Sequence, residues 1–192
     1  MKTYTEKQDG TEWAGSEGQL VAAASGGDTD AFGIIFEQNK RAVYSLAIRS
    51  TRNPDEAEDI VQRTFIKAWQ SMADFRGDSK LLTWLCAIAA NICRDHARMS
   101  SRRVRTVNEE EFEGLHAHPT GDIEGQCINK QAIEDALAGL PVSHRMLVVL
   151  CDMQGLTSKE AAKVLGCSPI SARVRLSRAH EKLRMSLSPV LE

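Results

Sequence analysis

The stretch from Leu156 to Arg184, LTSKEAAKVLGCSPISARVRLSRAHEKLR, constrains the fold more than any other part of the chain. Thr157 and Glu160 have the spacing of a capping box, which starts a helix. Gly166 is the residue type that ends a helix in the left-handed conformation, and Ser168-Pro169 starts another helix at once. Two short helices around a glycine turn predict a helix-turn-helix.

The second of these helices has a narrow apolar stripe and a basic surface. The stripe consists of Ala172, Leu176, Ala179 and Leu183. The surface predicted to face DNA consists of Ser168, Ile170, Ser171, Arg173, Val174, Arg175, Ser177 and Arg178. Early positions of a recognition helix contact base edges, where Val174 suits a thymine methyl group, and later basic positions contact phosphates. The alternative is a basic helix that only solubilises its own face, but the caps and the glycine turn favour DNA binding.

Charge is segregated along the chain, although the net charge is only -2. The segment from Arg94 to Arg105 contains five arginines and one acid, Asp95. The segment from Thr106 to Gly125 contains six acids and neither Lys nor Arg. Together with the basic C-terminal helix, this pattern predicts two anionic contacts made by one chain and separated by an acidic spacer.

Helical periodicity also dominates the first half of the chain. It predicts helices from Asp28 to Thr51, from Asn53 to about Ala73 and from Leu81 to about Met99. Asn53 is expected to cap the second of these, with Glu56 reaching back as in a capping box. No segment alternates with a period of two, so we predict an all-α fold without a sheet.

Several classes of protein are disfavoured by what the sequence lacks. The longest nearly uncharged run is too short to span a bilayer, and the polar start of the chain does not resemble a secretory signal, so we expect a cytoplasmic protein without membrane insertion. No phosphate-binding glycine loop, nucleophile elbow or metalloprotease motif is present, so we expect neither an enzyme nor a cofactor. Cys86 and Cys93 are predicted to be buried, with a thiol switch or a metal pair left open, and His116 and His118 to lie in a solvated loop without a metal.

Two long segments resemble a known family. NPDEAEDIVQRTFIKAWQSMADFRGDSKLLTWLCAIAANICRDHAR, from Asn53 to Arg98, resembles region 2 of the extracytoplasmic-function (ECF) branch of the sigma-70 superfamily. ALAGLPVSHRMLVVLCDMQGLTSKEAAKVLGCSPISARVRLSRAHEKLR, from Ala136 to Arg184, is similar to region 4 of that branch. The resemblance implies a promoter-specificity subunit of bacterial RNA polymerase.

The resemblance also implies a division into two small helical domains on a flexible linker. We expect a loose leader over residues 1–27, with a short helix near Leu20 to Ala24, and region 2 over residues 28–100. An acidic linker would follow over residues 101–125, and region 4 over residues 126–187. The linker is either a solvated spacer or an imitation of RNA in the exit path of the polymerase.

Region 2 would carry two binding surfaces. The core polymerase would contact Asp59, Gln62, Arg63 and Ile66, with Arg63 standing where the family usually has Glu. The minus-10 element would contact Phe75, Arg76, Asp78, Ser79, Lys80, Asn91, Arg94, Asp95 and Arg98. Phosphate contacts are expected from Arg102, Arg103 and Arg105.

Region 4 would read the minus-35 element through the basic helix described above. It departs from the family at Ile170, Val174 and His180, where Gly, Ser and Arg are usual, so we expect an unusual promoter sequence.

An anti-sigma factor is expected as a further partner. The competing hypothesis is a stand-alone helix-turn-helix regulator, which would bind duplex DNA without polymerase; Trp69, Phe75 and Trp84 speak against it, because a sensor domain does not need them.

Overall fold

The computed structural model describes the backbone of residues 4–7, 10–13, 16–106 and 124–191, and side chains within residues 16–98 and 131–188. The helices are α1 (Glu17–Ser25), α2 (Thr29–Thr51), α3 (Pro54–Gln70), α4 (Leu81–Thr106), α5 (Glu124–Ala138), α6 (Val142–Val148), α7 (Ser158–Leu165) and α8 (Pro169–Leu191). A 3-10 turn, Met72–Asp74, follows α3, and a π-helical turn, Val149–Met153, continues α6. The expected all-α fold is confirmed, and none of the described helices is long and apolar enough to cross a membrane.

One short hairpin corrects the expectation that no sheet forms. Strands β1 (Tyr4–Lys7) and β2 (Gly10–Trp13) pair antiparallel, with Tyr4 opposite Trp13. Tyr4, Thr5, Thr11 and Trp13 are of residue types that favour strands. Four-residue strands are too short for sustained alternation, which is why the pattern did not predict them.

The start of α3 was predicted correctly in its cap but not in its capping box. The Asn53 side chain accepts hydrogen bonds from the amides of Asp55 and Glu56, at 3.0 and 3.3 Å. The Asn53 amide donates to Oγ1 of Thr51 at 3.3 Å, so it has no need of Glu56. The Glu56 carboxylate instead lies 3.6 Å from Nε2 of His96 on α4, where it helps to join the two helices.

Helices α2, α3 and α4 form the core of the first unit. Their fully buried side chains include Leu46, Ile60, Leu85 and Ile92. The α4 helix continues to Thr106 rather than ending near Met99, because no glycine or proline interrupts it. The ends of the expected linker, residues 101–106 and 124–125, are therefore helical, whereas His116 and His118 lie outside the described residues.

The helix-turn-helix forms as the sequence predicts. The Thr157 amide donates to Oε2 of Glu160 at 2.8 Å, and the Glu160 amide donates to Oγ1 of Thr157 at 3.2 Å, which completes the capping box. Gly166 ends α7 in the left-handed conformation, with φ 64°. Oγ of Ser168 then caps α8 by accepting the Ser171 amide at 3.2 Å.

The two helical units share one continuous hydrophobic core, which the sequence did not indicate. Buried residues of α2, α3 and α4 form a single cluster with those of α6 and α7. Ala161 and Ala162 are both fully buried, and their small side chains let α7 approach α4 closely. Two polar links accompany this packing: Nη1 of Arg145 donates to the Arg49 carbonyl at 2.8 Å, and Nη2 of Arg49 lies 2.7 Å from Oε1 of Glu134.

The left-handed turn at Gly166 leads to a stability prediction with a matched control. Gly166→Ala is expected to lower the free energy of unfolding by about 1 kcal/mol, because a Cβ is strained at positive φ. Gly33 lies inside α2, with no atom within 4 Å of an added Cβ, so Gly33→Ala is expected to raise that free energy by about 1 kcal/mol. Urea unfolding of both variants measures the difference, and effects of the same sign would contradict the assignment.

Candidate nucleic-acid and protein interfaces

The outward face of α3 carries the residues expected to contact the core polymerase. Asp59, Gln62, Arg63 and Ile66 are all exposed, and the opposite face packs into the core. Ile66 is 56% exposed, which is high for a large aliphatic side chain. The exposed part of this face is therefore an aliphatic residue within a polar surround, as in a protein contact surface.

The charges of this face are paired with each other. Nη1 of Arg63 donates to Oδ2 of Asp59 at 3.3 Å, across one turn of the helix. An Arg in place of the family's usual Glu thus produces a neutral ion pair rather than a patch of positive charge.

An apolar groove of about 430 Å³ extends this face between α2 and α3. Its lining includes Phe36, Tyr44 and Val61, with Gln62 at the same edge as the predicted contact residues. A side chain of a docked partner would find apolar surface there next to the exposed face of α3.

An aromatic pair supports the loop that precedes α4. The rings of Phe75 and Trp84 have centroids 4.9 Å apart, and both side chains are half-buried. Gly77 adopts φ 74° and lets the loop turn sharply. Of the other predicted minus-10 residues here, Arg76, Asp78 and Lys80 are exposed and Ser79 is half-buried. The loop therefore combines a partly exposed aromatic platform with polar groups, which is a combination that can hold an unstacked base.

Polar residues on α4 continue this surface along one helix face. Asn91, Arg94, Asp95 and Arg98 recur at spacings of three and four, so they project from the same side. Nη1 of Arg94 donates to Oδ1 of Asn91 at 2.7 Å, which orients both side chains. Arg102, Arg103 and Arg105 follow on the same helix, and their side chains lie outside the described part of the chain.

The predicted minus-35 surface is the exposed side of α8. Ala172 and Ala179 are buried, and Leu176 and Leu183 are half-buried, as the apolar stripe predicted. On the outer side, Ser168, Ile170, Arg173, Val174, Ser177 and Arg178 are exposed, whereas Ser171 and Arg175 are half-buried. The structure thus leaves most of the predicted contact residues on one solvent-facing surface.

Other contacts of α8 fix its position and its electrostatics. Burial and the cations Arg175, Arg178 and Lys182 lower the pKa of His144 on α6, because burial and nearby positive charge both disfavour the imidazolium. Nε2 of His180 lies 2.7 Å from Oδ2 of Asp152 in the π-helical turn. His180, one of the departures from the family, therefore contacts the turn after α6 instead of standing free.

Two residues that support these surfaces were assigned no such role by sequence reasoning. In the sequence, Trp84 counted only as an argument against a stand-alone regulator, but its ring packs against Phe75 and supports the loop. Arg145 received no role, although a cation directly before the apolar run Met146–Leu150 was a signal that it serves as a buried donor.

Cys86 and Cys93 fit a structural role better than a chemical one. Cys86 and Cys93 are buried, and burial raises the pKa of the Cys86 thiol to about 12 and also raises that of Cys93. Both side chains therefore stay protonated near neutral pH and are poor metal ligands and nucleophiles. Within the described residues, no three side chains of His, Cys, Asp or Glu are grouped as they would be around a metal ion.

Comparisons with known proteins match both helical units. The family described as Sigma-70 region 2 matches residues 35–103, and the family described as Sigma-70, region 4 matches residues 130–183. The chain is 31% identical over 182 residues to the RNA polymerase sigma-H factor of Pseudomonas aeruginosa, covering 90% of this chain and 94% of that protein. It is 30% identical over 168 residues to the ECF RNA polymerase sigma factor SigM of Mycobacterium tuberculosis, covering 88% of this chain and 83% of that protein.

Solved structures match the fold as well. The sigma factor RpoE, in complex with the anti-sigma factor NepR from Bartonella quintana, has a TM-score of 0.70 at 28% identity, covering 82% of this chain and 96% of that one. CnrH, in complex with the cytosolic domain of CnrY, has a TM-score of 0.63 at 27% identity, covering 89% of this chain and 96% of that one.

Proposed function

Because this chain belongs to the extracytoplasmic-function branch of the sigma-70 family, we propose that it binds core RNA polymerase through α3 and reads two promoter elements through α4 and α8. The chain is a transcription initiation factor, and bond formation is left to the polymerase. We further propose that it acts in the cytoplasm, where the polymerase and the chromosome are. The observation that carries the proposal is the presence of three exposed helix faces, each with the chemistry of its expected partner, on one folded chain.

The exposed face of α3 supports the polymerase contact. Ile66 offers apolar surface at its centre, and the Asp59–Arg63 pair contributes no net charge that a partner would have to neutralise. Burying an isoleucine stabilises a contact by about 1.5–3 kcal/mol. The interface therefore depends on apolar packing more than on charge.

The loop before α4 and the polar face of α4 support contact with the minus-10 element. Extruding a base from its stack costs on the order of a few kcal/mol, and the capturing site must recover that cost. Phe75, held against Trp84, offers ring surface for stacking, while the polar loop residues offer hydrogen bonds to a base edge. Arg94 and Arg98 continue along α4 in the direction that the single strand would follow.

The exposed side of α8 supports contact with the duplex minus-35 element. Ser168, Ile170, Ser171 and Arg173 lie at the start of the helix, where recognition helices meet base edges. Arg175 and Arg178 lie further along and supply charge for phosphates.

Packing between the two units supports control by an anti-sigma factor. Helix α7 packs against α4, which carries residues expected to contact the minus-10 element. DNA would have to enter this crowded region. A partner that binds both units at once would stabilise their contact and keep promoter DNA out, and one of the structural relatives was solved with an anti-sigma factor.

The polymerase contact is tested by one substitution at two exposed isoleucines. Ile66→Asp is expected to weaken the affinity for core polymerase by about tenfold or more, because it removes apolar surface and places an unpaired charge in the interface. Ile133→Asp, at an isoleucine of α5 that is 45% exposed, is the matched control and should bind normally. Fluorescence anisotropy with labelled protein measures both affinities, and equal losses would refute the α3 interface.

Promoter reading is tested by run-off transcription with bacterial core polymerase on a genomic promoter library. The full chain should produce protein-dependent transcripts that share two sequence elements, and their absence would refute the proposed function.

Arg173→Ala should lower transcription from minus-35-dependent promoters by about tenfold, because one base-edge contact contributes about 1–3 kcal/mol. Arg184→Ala, about 16 Å further along α8, should have little effect.

Control by an anti-sigma factor is tested in the native cell. Affinity purification of the tagged chain before induction should recover a stoichiometric protein partner, and dissociation of that partner should accompany transcription. Transcription that is independent of growth condition, without a stoichiometric partner, would contradict this part of the proposal and leave promoter reading untouched.

A further inference from the structure

Two large aliphatic side chains project from the DNA-facing side of α8. Ile170 is 75% exposed and Val174 is 45% exposed, although both stand in a helix that buries other apolar residues. They are four positions apart and therefore neighbours on the helix surface. Together they form one apolar strip, which we call the Ile170–Val174 strip.

The strip lies opposite the buried side of the helix. At about 100° per residue, Ile170 and Val174 lie about 160° and 200° from the buried Ala172. The exposed side chains of Arg173 and Arg178 flank it on either side. A helix that enters the major groove with its buried side turned away from the DNA points the opposite side, and therefore this strip, at the floor of the groove, where the base edges are.

The chemistry of the groove floor selects one ligand for an aliphatic strip. Among the groups that base pairs present in the major groove, the C5 methyl of thymine is the apolar one. Four helical residues rise about 6 Å, and base pairs are stacked about 3.4 Å apart, so the two side chains span up to two base steps. We propose that the Ile170–Val174 strip reads the methyl groups of two thymines within three consecutive base pairs of the minus-35 element.

This inference rests on the proposed function, because it requires α8 to enter the groove. It gives a role in contacting bases to Ile170 and Val174, which stand where the resembled family usually has Gly and Ser. A small residue there leaves a methyl group in water, whereas an aliphatic side chain removes it from water on contact. The flanking arginines favour DNA over a protein partner as the occupant of the strip.

The experiment replaces thymine in the DNA with uracil, which lacks the methyl group and keeps the hydrogen-bonding edge. A minus-35 element is first selected with the full chain and core polymerase by run-off transcription. The affinity of the holoenzyme is then measured on matched duplexes that contain thymine or uracil, at one salt concentration. Each methyl that the strip reads should contribute about fourfold in affinity. The salt dependence of binding should not change, because the phosphate contacts are kept.

Variants assign the effect to the strip. The double variant Ile170→Ser, Val174→Ser should bind thymine and uracil duplexes equally, and its affinity for core polymerase should be unchanged. Met185→Ser, at an exposed apolar residue near the other end of α8, should keep the discrimination. Equal binding of both duplexes by the unaltered chain, or discrimination that survives in the double variant, would overturn the inference. Loss of core affinity in the double variant would assign the strip to a protein contact and overturn it too, whereas an absence of transcripts from the library would refute the proposed function itself.

Discussion

The guanidinium of Arg145 joins the two helical units, and the arrangement of the binding faces depends on it. Its side chain donates to the carbonyls of Arg49, Ala138 and Leu140 at 2.8, 3.1 and 3.0 Å, while the residue is only 5% exposed. The first two carbonyls belong to the last turns of α2 and α5, where helices leave acceptors unsatisfied and the backbone dipoles favour a cation. One side chain thus satisfies the ends of helices from both units, and a residue without these donors would leave buried acceptors unpaired.

Each proposed binding surface is the outer side of a helix whose inner side is part of the core. Buried Ile60 and Thr64 of α3 oppose the exposed Ile66, just as the buried Ala172 of α8 opposes Val174. Contact residues on such helices are positioned by core packing rather than by a loop, so their spacing is fixed before a partner arrives. The loop between Phe75 and Lys80 is the exception, and there the contact of Phe75 with Trp84 replaces the support of a helix.

Local signals made most of the fold predictable. Asn53, Thr157 and Gly166 act on backbone groups within four residues of themselves, so the sequence alone predicted these helix ends. Helical periodicity likewise predicted which faces of α3 and α8 are exposed, although not which partners they bind. The pairing of Glu56 with His96, and the contacts of Arg145, join positions far apart in the chain, and no local pattern encodes them. For the same reason the shared core was not foreseen, because periodicity indicates that a face is buried but not against which helix.

The shared core also sets an equilibrium between molecules whose two helical units are packed together and molecules whose units have separated. Any ligand that needs the surfaces between the two units binds only the molecules in which the units have separated, and its apparent dissociation constant is the intrinsic one divided by the separated fraction. If about one molecule in a hundred is separated, the apparent affinity falls about a hundredfold without any change in the contacts themselves. The apparent affinity for promoter DNA then depends on the packing of the α7 alanines and on the carbonyls bound by Arg145, which are far from any base pair.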